Sequence, residues 1–366
     1  MRLAITGLGM LSTLGDDVIS SCAALRAGLV RPSPLRFEVY SEDEEEGVAR
    51  VVGHPLQGVT SGFEGLGLYT LMAAHALDDL VRYAGLDRRD RAFWASTAIF
   101  PCLSRPRLED LGALFEELLE ERLVPAVLEE TGLPATAGRG RRFMSGHASV
   151  LEAVHEARQE LQEGRLKRVL VLALDSLVGE DDVMWLAQRE MLKTPQRPVG
   201  LMPGQAAGAL LLEGESEARR RGARVDAFIE AVHVGREPDS RERRRHSSGQ
   251  ALAGVLARTL EGRRGVADAY GDLNGQEARA REWGNALVRM SGRHDLPVTP
   301  RCPATSLGDT GAASGAIAIA AAARSFARGY ARGNEVLVWS SSDSGEVASA
   351  LVVRSDRPGS TVRRAS

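Results

Sequence analysis

The chain has 366 residues, 43% hydrophobic and 26% charged, and its 46 Lys and Arg against 49 Asp and Glu leave a formal charge of −3. That length allows two or three ordinary domains, or two halves sharing one large core. The apolar content excludes wholesale disorder, and the balanced charge excludes a generally basic nucleic-acid binder. Glycine supplies 39 residues, about 11% against a usual ~7%, while aromatic residues make up only 5%. A core built from such small residues brings backbones close together.

Cys22, Cys102 and Cys302 lie far apart, with no CxxC pair and no Cys/His cluster. This argues against a disulfide framework or a metal site and fits a reducing compartment. The opening residues lack the basic and apolar regions of a secretion signal. The longest run of small apolar residues, 312–323, falls short of the ~20 residues of a membrane span. The expectation is a cytoplasmic protein with no membrane or nucleic-acid partner and no cofactor.

In chain order, 2–6 reads as a short buried strand ending in a Gly-rich turn over 7–15, and 17–27 as a helix. Residues 37–60 read as an irregular excursion carrying the acidic run 42–46, a solvated loop because like charges repel. A helix is expected over 66–83, a strand over 92–99, and one or two amphipathic helices over 108–130. A helix over 146–163 then leads to a strand at 168–174 and a returning strand at 207–213. The same order recurs as 311–329, 335–339 and 348–353, which reads as an internal duplication. The helix from Gly311 has almost no large side chains, so it is expected between elements whose backbones approach closely. The division between halves is drawn at 218/219, with 219–355 as the second half, and 356–366 is expected to be a disordered tail. The Gly7-Leu8-Gly9 sequence is a poor dinucleotide signal, because Ser12 stands at the third glycine position. The Arg-rich segment 241–246 reads as a solvated loop, with contact to phosphate or an acidic carrier protein as the functional alternative.

Three segments carry a resemblance. Ile5-Thr6-Gly7-Leu8-Gly9, Pro203-Gly204-Gln205-Ala206-Ala207-Gly208 and Gly308-Asp309-Thr310-Gly311-Ala312-Ala313-Ser314-Gly315 occur in the order of similar segments in the thiolase superfamily, and within it the β-ketoacyl synthases. The resemblance implies an α/β thiolase-like fold, two duplicated halves in five layers (αβαβα), with two helices buried face to face at the centre. It also implies a homodimer. The family's Cys-His-His triad is missing: the nucleophile position is read at Phe143, and the two histidine positions at Asn274 and Asp309. The Gly-rich loop near the C-terminus is replaced by Ser340-Ser341-Ser342-Asp343-Ser344-Gly345-Glu346. Phenylalanine cannot form a thioester, and a carboxylate cannot donate as an imidazole does to a developing enolate, so ordinary condensation is not expected.

The segments Met191-Leu192-Lys193-Thr194, Met202 to Gly208, Asp272-Leu273-Asn274-Gly275 and Glu282-Trp283 further resemble a divergent group of stand-alone ketosynthase-like proteins found with type VI secretion effector modules. That likeness implies a pseudoenzyme acting as an adaptor, chaperone or partner of a secreted effector. The alternative is an acyltransferase or acyl-binding protein that takes acyl-CoA or an acyl-carrier protein at a noncanonical site. For that chemistry Ser145 is the replacement nucleophile, although it also reads as a helix N-cap. His147, two residues on, is expected to face away from it, and His155 reads as a half-exposed helical residue. Met144, His147, Gln205, Glu277, Ser342 and Asp343 complete the pocket and loop residues expected near this site.

Overall fold

The computed structural model describes residues 1–40, 47–107, 112–136, 140–240 and 245–355. The first half runs β1 (Leu3–Ser12), α1 (Val18–Arg26), β2 (Ser33–Tyr40), β3 (Val48–Gly53), α2 (Gly65–Ala84), α3 (Arg91–Ala95), β4 (Thr97–Cys102), α4 (Gly112–Thr131), α5 (Ser149–Gln162), β5 (Arg168–Ser176), α6 (Glu180–Gln188) and β6 (Gln205–Gly214). After a short α7 (Glu215–Arg220) come β7 (Ala227–Arg236), α8 (Gln250–Thr259), β8 (Asp268–Tyr270), α9 (Glu277–Met290), α10 (Ala304–Leu307), α11 (Ser314–Ala327), β9 (Glu335–Ser341) and β10 (Glu346–Arg354). Short 3-10 turns, Gly146–Ala148 and Gly311–Ala313, lead into α5 and α11.

The strands are ordered β4-β5-β6-β1-β7-β10-β9-β8. Within β4-β5-β6-β1, the first pair is parallel and the others antiparallel; β8-β9-β10-β7 repeats that pattern. The two sets of four meet where Leu3–Ile5 pairs with residues 227–229. Helices α2 and α4 cover the first set, α8 and α9 the second, and α5 and α11 lie between them against strands of both. The result is the five-layer α/β arrangement. The two middle helices cross so closely that a Cβ on Gly315 would sit 2.8 Å from Val150 Cβ. Every residue from Gly315 to Phe326 of α11 is buried, which explains why that helix carries small side chains.

Three expectations are corrected. The glycines at 7 and 9 do not form a turn: they lie within β1, all ten residues of which are buried. Glycine is required there because α2 lies directly on the strand, and a Cβ on Gly9 would fall 2.0 Å from the Ala76 carbonyl oxygen. The excursion over 37–60 contains the antiparallel hairpin β2–β3, whose inner face packs on α6 through Val39, Val51, Val183 and Leu186. Residues 92–95 are helical, not strand, because Asp90 caps α3 by accepting the Phe93 N–H at 2.9 Å; the strand starts at Thr97. Residues 112–131 form one helix despite Pro125. The acidic run 42–46, residues 108–111 and 241–244, and the tail 356–366 lie outside the described residues. Among the described helices none is long and apolar enough to cross a membrane.

Candidate functional site

The two 3-10 turns face one another at the centre of the molecule, and strand ends of each half hold the turn of the other. Ser342, just past β9, accepts the Ala148 N–H at 2.9 Å, and Asp175, near the end of β5, accepts the Ala312 N–H at 2.9 Å. Ser342 also donates to the Ser145 carbonyl, and Asp175 accepts a hydrogen bond from Ser104. These bonds satisfy N–H groups that a buried helix start would otherwise leave unpaired.

His147 lies on the first turn, 6% exposed, with Nε2 2.7 Å from Asp309 Oδ1 and Nδ1 3.0 Å from a terminal nitrogen of Arg279. A guanidinium has only donors, so Nδ1 accepts and Nε2 carries the proton that it gives to Asp309. The other Asp309 oxygen accepts from Asn274 at 2.6 Å, and Oδ1 also accepts the Gly311 N–H at 2.9 Å. Burial pushes the Asp309 carboxyl up, but His147 and Arg279 outweigh it and hold the group well below the usual carboxylate range.

Arg279, on α9 and 1% exposed, ties the network together. It bonds to the Ser341 carbonyl at 2.6 Å and Asp343 at 2.9 Å, and pairs with Asp272 at 3.1 Å. Burial alone would lower its pKa; Asp343, Asp272 and Asp309 raise it instead. The sequence reading missed this residue, although its phase gives a signal. Arg279 shares the apolar stripe of Trp283, Ala286 and Met290, a face on which an arginine needs buried partners.

The remaining sequence-chosen residues divide between cavity and scaffold. Phe143 does not join the network: its backbone pairs with the end of β4 (N–H to Pro101 at 3.0 Å, carbonyl to Leu103 at 2.9 Å), and its ring packs on Phe100. His147, four residues on, is the side chain that meets Asp309, which in turn holds Asn274. Ser145 donates to Glu152, whose carboxyl burial pushes up against the lowering effect of that hydrogen bond. Asn274, Asp309 and Asp343 converge as the sequence allowed. Gln205 does not reach the site: it is buried on β6 and bonds to the Leu56 N–H and the Ser176 hydroxyl. Ser342 acts as the cap described above. Phe143, Met144, Ser145, His147, Glu277 and Asp343 line an open cavity of about 1480 Å³ above the network. His155 also borders it and contacts the Val232 carbonyl at 3.3 Å.

No family model matches the sequence, and no curated protein matches it. Solved structures do. An oxazolomycin ketosynthase domain from Streptomyces albus superposes with a TM-score of 0.75 at 17% identity, over 97% of this chain and 74% of that one. The fold is that of the ketosynthases. The ishigamide ketosynthase/chain length factor gives 0.70 at 18% identity, over 97% of this chain and 99% of that one. A ketosynthase bound to the hexaketide, in complex with its type II PKS acyl-carrier protein, gives 0.71 at 14% identity, again over 97% and 99%. The ketosynthase-like fold thus covers nearly the whole chain, with its helix-start turns and crossing central helices meeting at the buried network.

Proposed function

We propose that this chain is a ketosynthase-fold pseudoenzyme that acts by binding a protein partner, as an adaptor or chaperone in a bacterial effector-secretion module. The observation that carries the reading is the bonding of His147. In this reading His147, not Phe143, occupies the nucleophile's place at the start of the central helix, with Asn274 and Asp309 at the two histidine places. An imidazole with Nδ1 held by Arg279 and Nε2–H given to Asp309 has no lone pair left to serve as a base. The nearby thiol of Cys102, which donates to the Ser149 carbonyl at 3.6 Å, is fully buried, and burial raises its pKa well above the ordinary value. The segments quoted for the secretion-associated group support the choice of partner, and the free cysteines agree with a cytoplasmic setting. The homodimer implied by the resemblance belongs to the same proposal.

One observation favours a second reading, acyl transfer or acyl binding from acyl-CoA or an acyl-carrier protein. The Ser145 hydroxyl points to a carboxylate of raised pKa inside the cavity. One experiment separates the two. The protein is incubated with acyl-CoA, acyl-carrier protein and malonyl thioesters, and followed by intact mass and product analysis. The pseudoenzyme reading expects no covalent adduct, condensation or decarboxylation. An acyl adduct that disappears in Ser145→Ala overturns it.

A further inference from the structure

The cavity above the network is unlike a channel for an apolar chain. Eight arginines and six carboxylates line it. Methylene groups laid along such walls would strip water from guanidiniums without replacing its hydrogen bonds, a net cost. The volume of about 1480 Å³ also exceeds the roughly 300–1,000 Å³ usual for a small-molecule pocket.

Among the described residues, Arg105 and Arg189 have no carboxylate partner, and both are exposed on the cavity wall. Arg189 lies over the Trp185 ring at 4.0 Å, and Arg107 sits 5.7 Å from the same ring. Arg107 joins the loop carrying Arg105 to α6 through Asp182 at 2.9 Å, so both unpaired guanidiniums stand on one braced wall. From the second half of the chain Arg236, Arg245 and Arg281 also line the cavity and pair with Glu346, Asp239 and Glu277. Solvent-accessible pairs of this kind contribute at most about 1 kcal/mol, so an incoming carboxylate can exchange with the resident one. The positive groups come from separate segments of the chain: the loop after β4, the end of α6, the end of β7, residue 245 and α9. That distribution suits a row of carboxylates better than a single phosphate.

We propose that this cleft is the docking groove for an acidic, extended polypeptide segment of the partner protein, held by Arg105 and Arg189 and by the exchangeable arginines of the second half. The proposal rests on the partner-binding reading and names the chemistry of the partner. Its test uses the whole chain and a fluorescein-labelled deca-glutamate peptide, followed by anisotropy at low and moderate salt. Saturable binding that weakens with salt is expected, with deca-serine not binding. Arg105→Glu/Arg189→Glu should weaken it roughly tenfold or more, and Arg31→Glu/Arg328→Glu, a charge-matched pair outside the cleft, by much less. If the first pair lowers the melting midpoint, Arg105→Gln/Arg189→Gln replaces it, with loss of binding again expected. Absence of saturable binding overturns the proposal, as does equal loss in the two charge-matched variants. Displacement of the peptide by coenzyme A or decanoyl-CoA through Arg105 and Arg189 overturns it in favour of a thioester site. Failure of peptide binding leaves the pseudoenzyme reading standing, since that is judged by the condensation assay without peptide; only a thioester site would count toward acyl binding.

Discussion

Asp175 of the first half accepts the Ala312 N–H that opens the central helix of the second half, and the partner contact runs the other way from Ala148 N–H to Ser342. Each half therefore finishes a helix it does not contain. Asp175→Ala leaves the buried Ala312 and Ser176 N–H groups without an acceptor and takes the partner of the half-buried Ser104 hydroxyl. A loss of about 1–3 kcal/mol is expected by denaturant titration, with Ser342→Ala showing a similar loss at the other crossing. No change in either variant would mean that the crossed caps do not hold the halves together.

Arg279 neutralises a cluster that cannot do without it. Arg279→Met leaves Asp272, Asp309 and Asp343 facing one another with no guanidinium among them, and a loss of about 3–5 kcal/mol is expected. Arg279→Lys should recover only part of it. An ammonium cannot reach the Ser341 carbonyl, His147 Nδ1 and Asp343 in one plane. Urea midpoints of the two variants compare these losses directly.

The site also fixes what an introduced thiol can do. Neither Phe143→Cys nor His147→Cys is expected to condense acyl and malonyl thioesters, because Asn274 and Asp309 supply no imidazole in either variant. Release of carbon dioxide and a lengthened acyl product from either single variant would sink this account of the centre.

Two buried carboxylates give opposite pH signatures. Asp79 is raised to about 6 by burial, even though its carboxylate accepts the Val18 and Met10 N–H groups. A carboxyl raised in the folded state costs stability as it ionises. That cost is absent below the ordinary value near 4, grows between about pH 4 and 6, and is complete above 6. Asp309 is depressed, so its contribution is present above pH ~4 and fades only as the pH falls further. Stability difference curves against Asp79→Asn and Asp309→Asn should therefore slope in opposite senses, in separate windows on either side of pH ~4. Parallel curves would contradict both assignments.

Glycine at the strand–helix contact is a steric necessity. Gly9→Ala forces β1 and α2 apart and should cost about 3 kcal/mol or more, at or above the usual overpacking range. At Gly28, where an added Cβ meets nothing and the cost comes only from φ of +67°, alanine should cost about 1 kcal/mol. Melting midpoints of the two variants test the contrast.

Much of this architecture was legible in the residues. The helix–strand–strand repeat foretold the two matching sets of strands, and the small side chains of α11 foretold a helix enclosed on every side. The hairpin β2–β3 was missed although Leu35-Arg36-Phe37-Glu38-Val39 alternates apolar with charged residues as a strand does, because the acidic run that follows it reads as a plain loop. At the site, motif positions singled out Asn274, Asp309 and Asp343, which the structure joins through His147 and Arg279. That His147 and not Phe143 meets Asp309 could not be read there, since Phe143 is taken up in pairing with the end of β4 while the 3-10 turn beyond it aims His147 inward.

By itself, then, the sequence determined the scaffold: periodicity and residue size are local properties that the chain carries wherever it folds. The tertiary structure alone decided the centre. A guanidinium from α9, a carboxylate from the loop before α11 and an imidazole from the turn before α5 are far apart in sequence. They acquire their protonation and bonding only when burial removes the water that would otherwise keep them separate. The glycine excess spans both levels. Composition revealed that backbones must approach, and the packing of α2 on β1 and of α5 on α11 identified which ones.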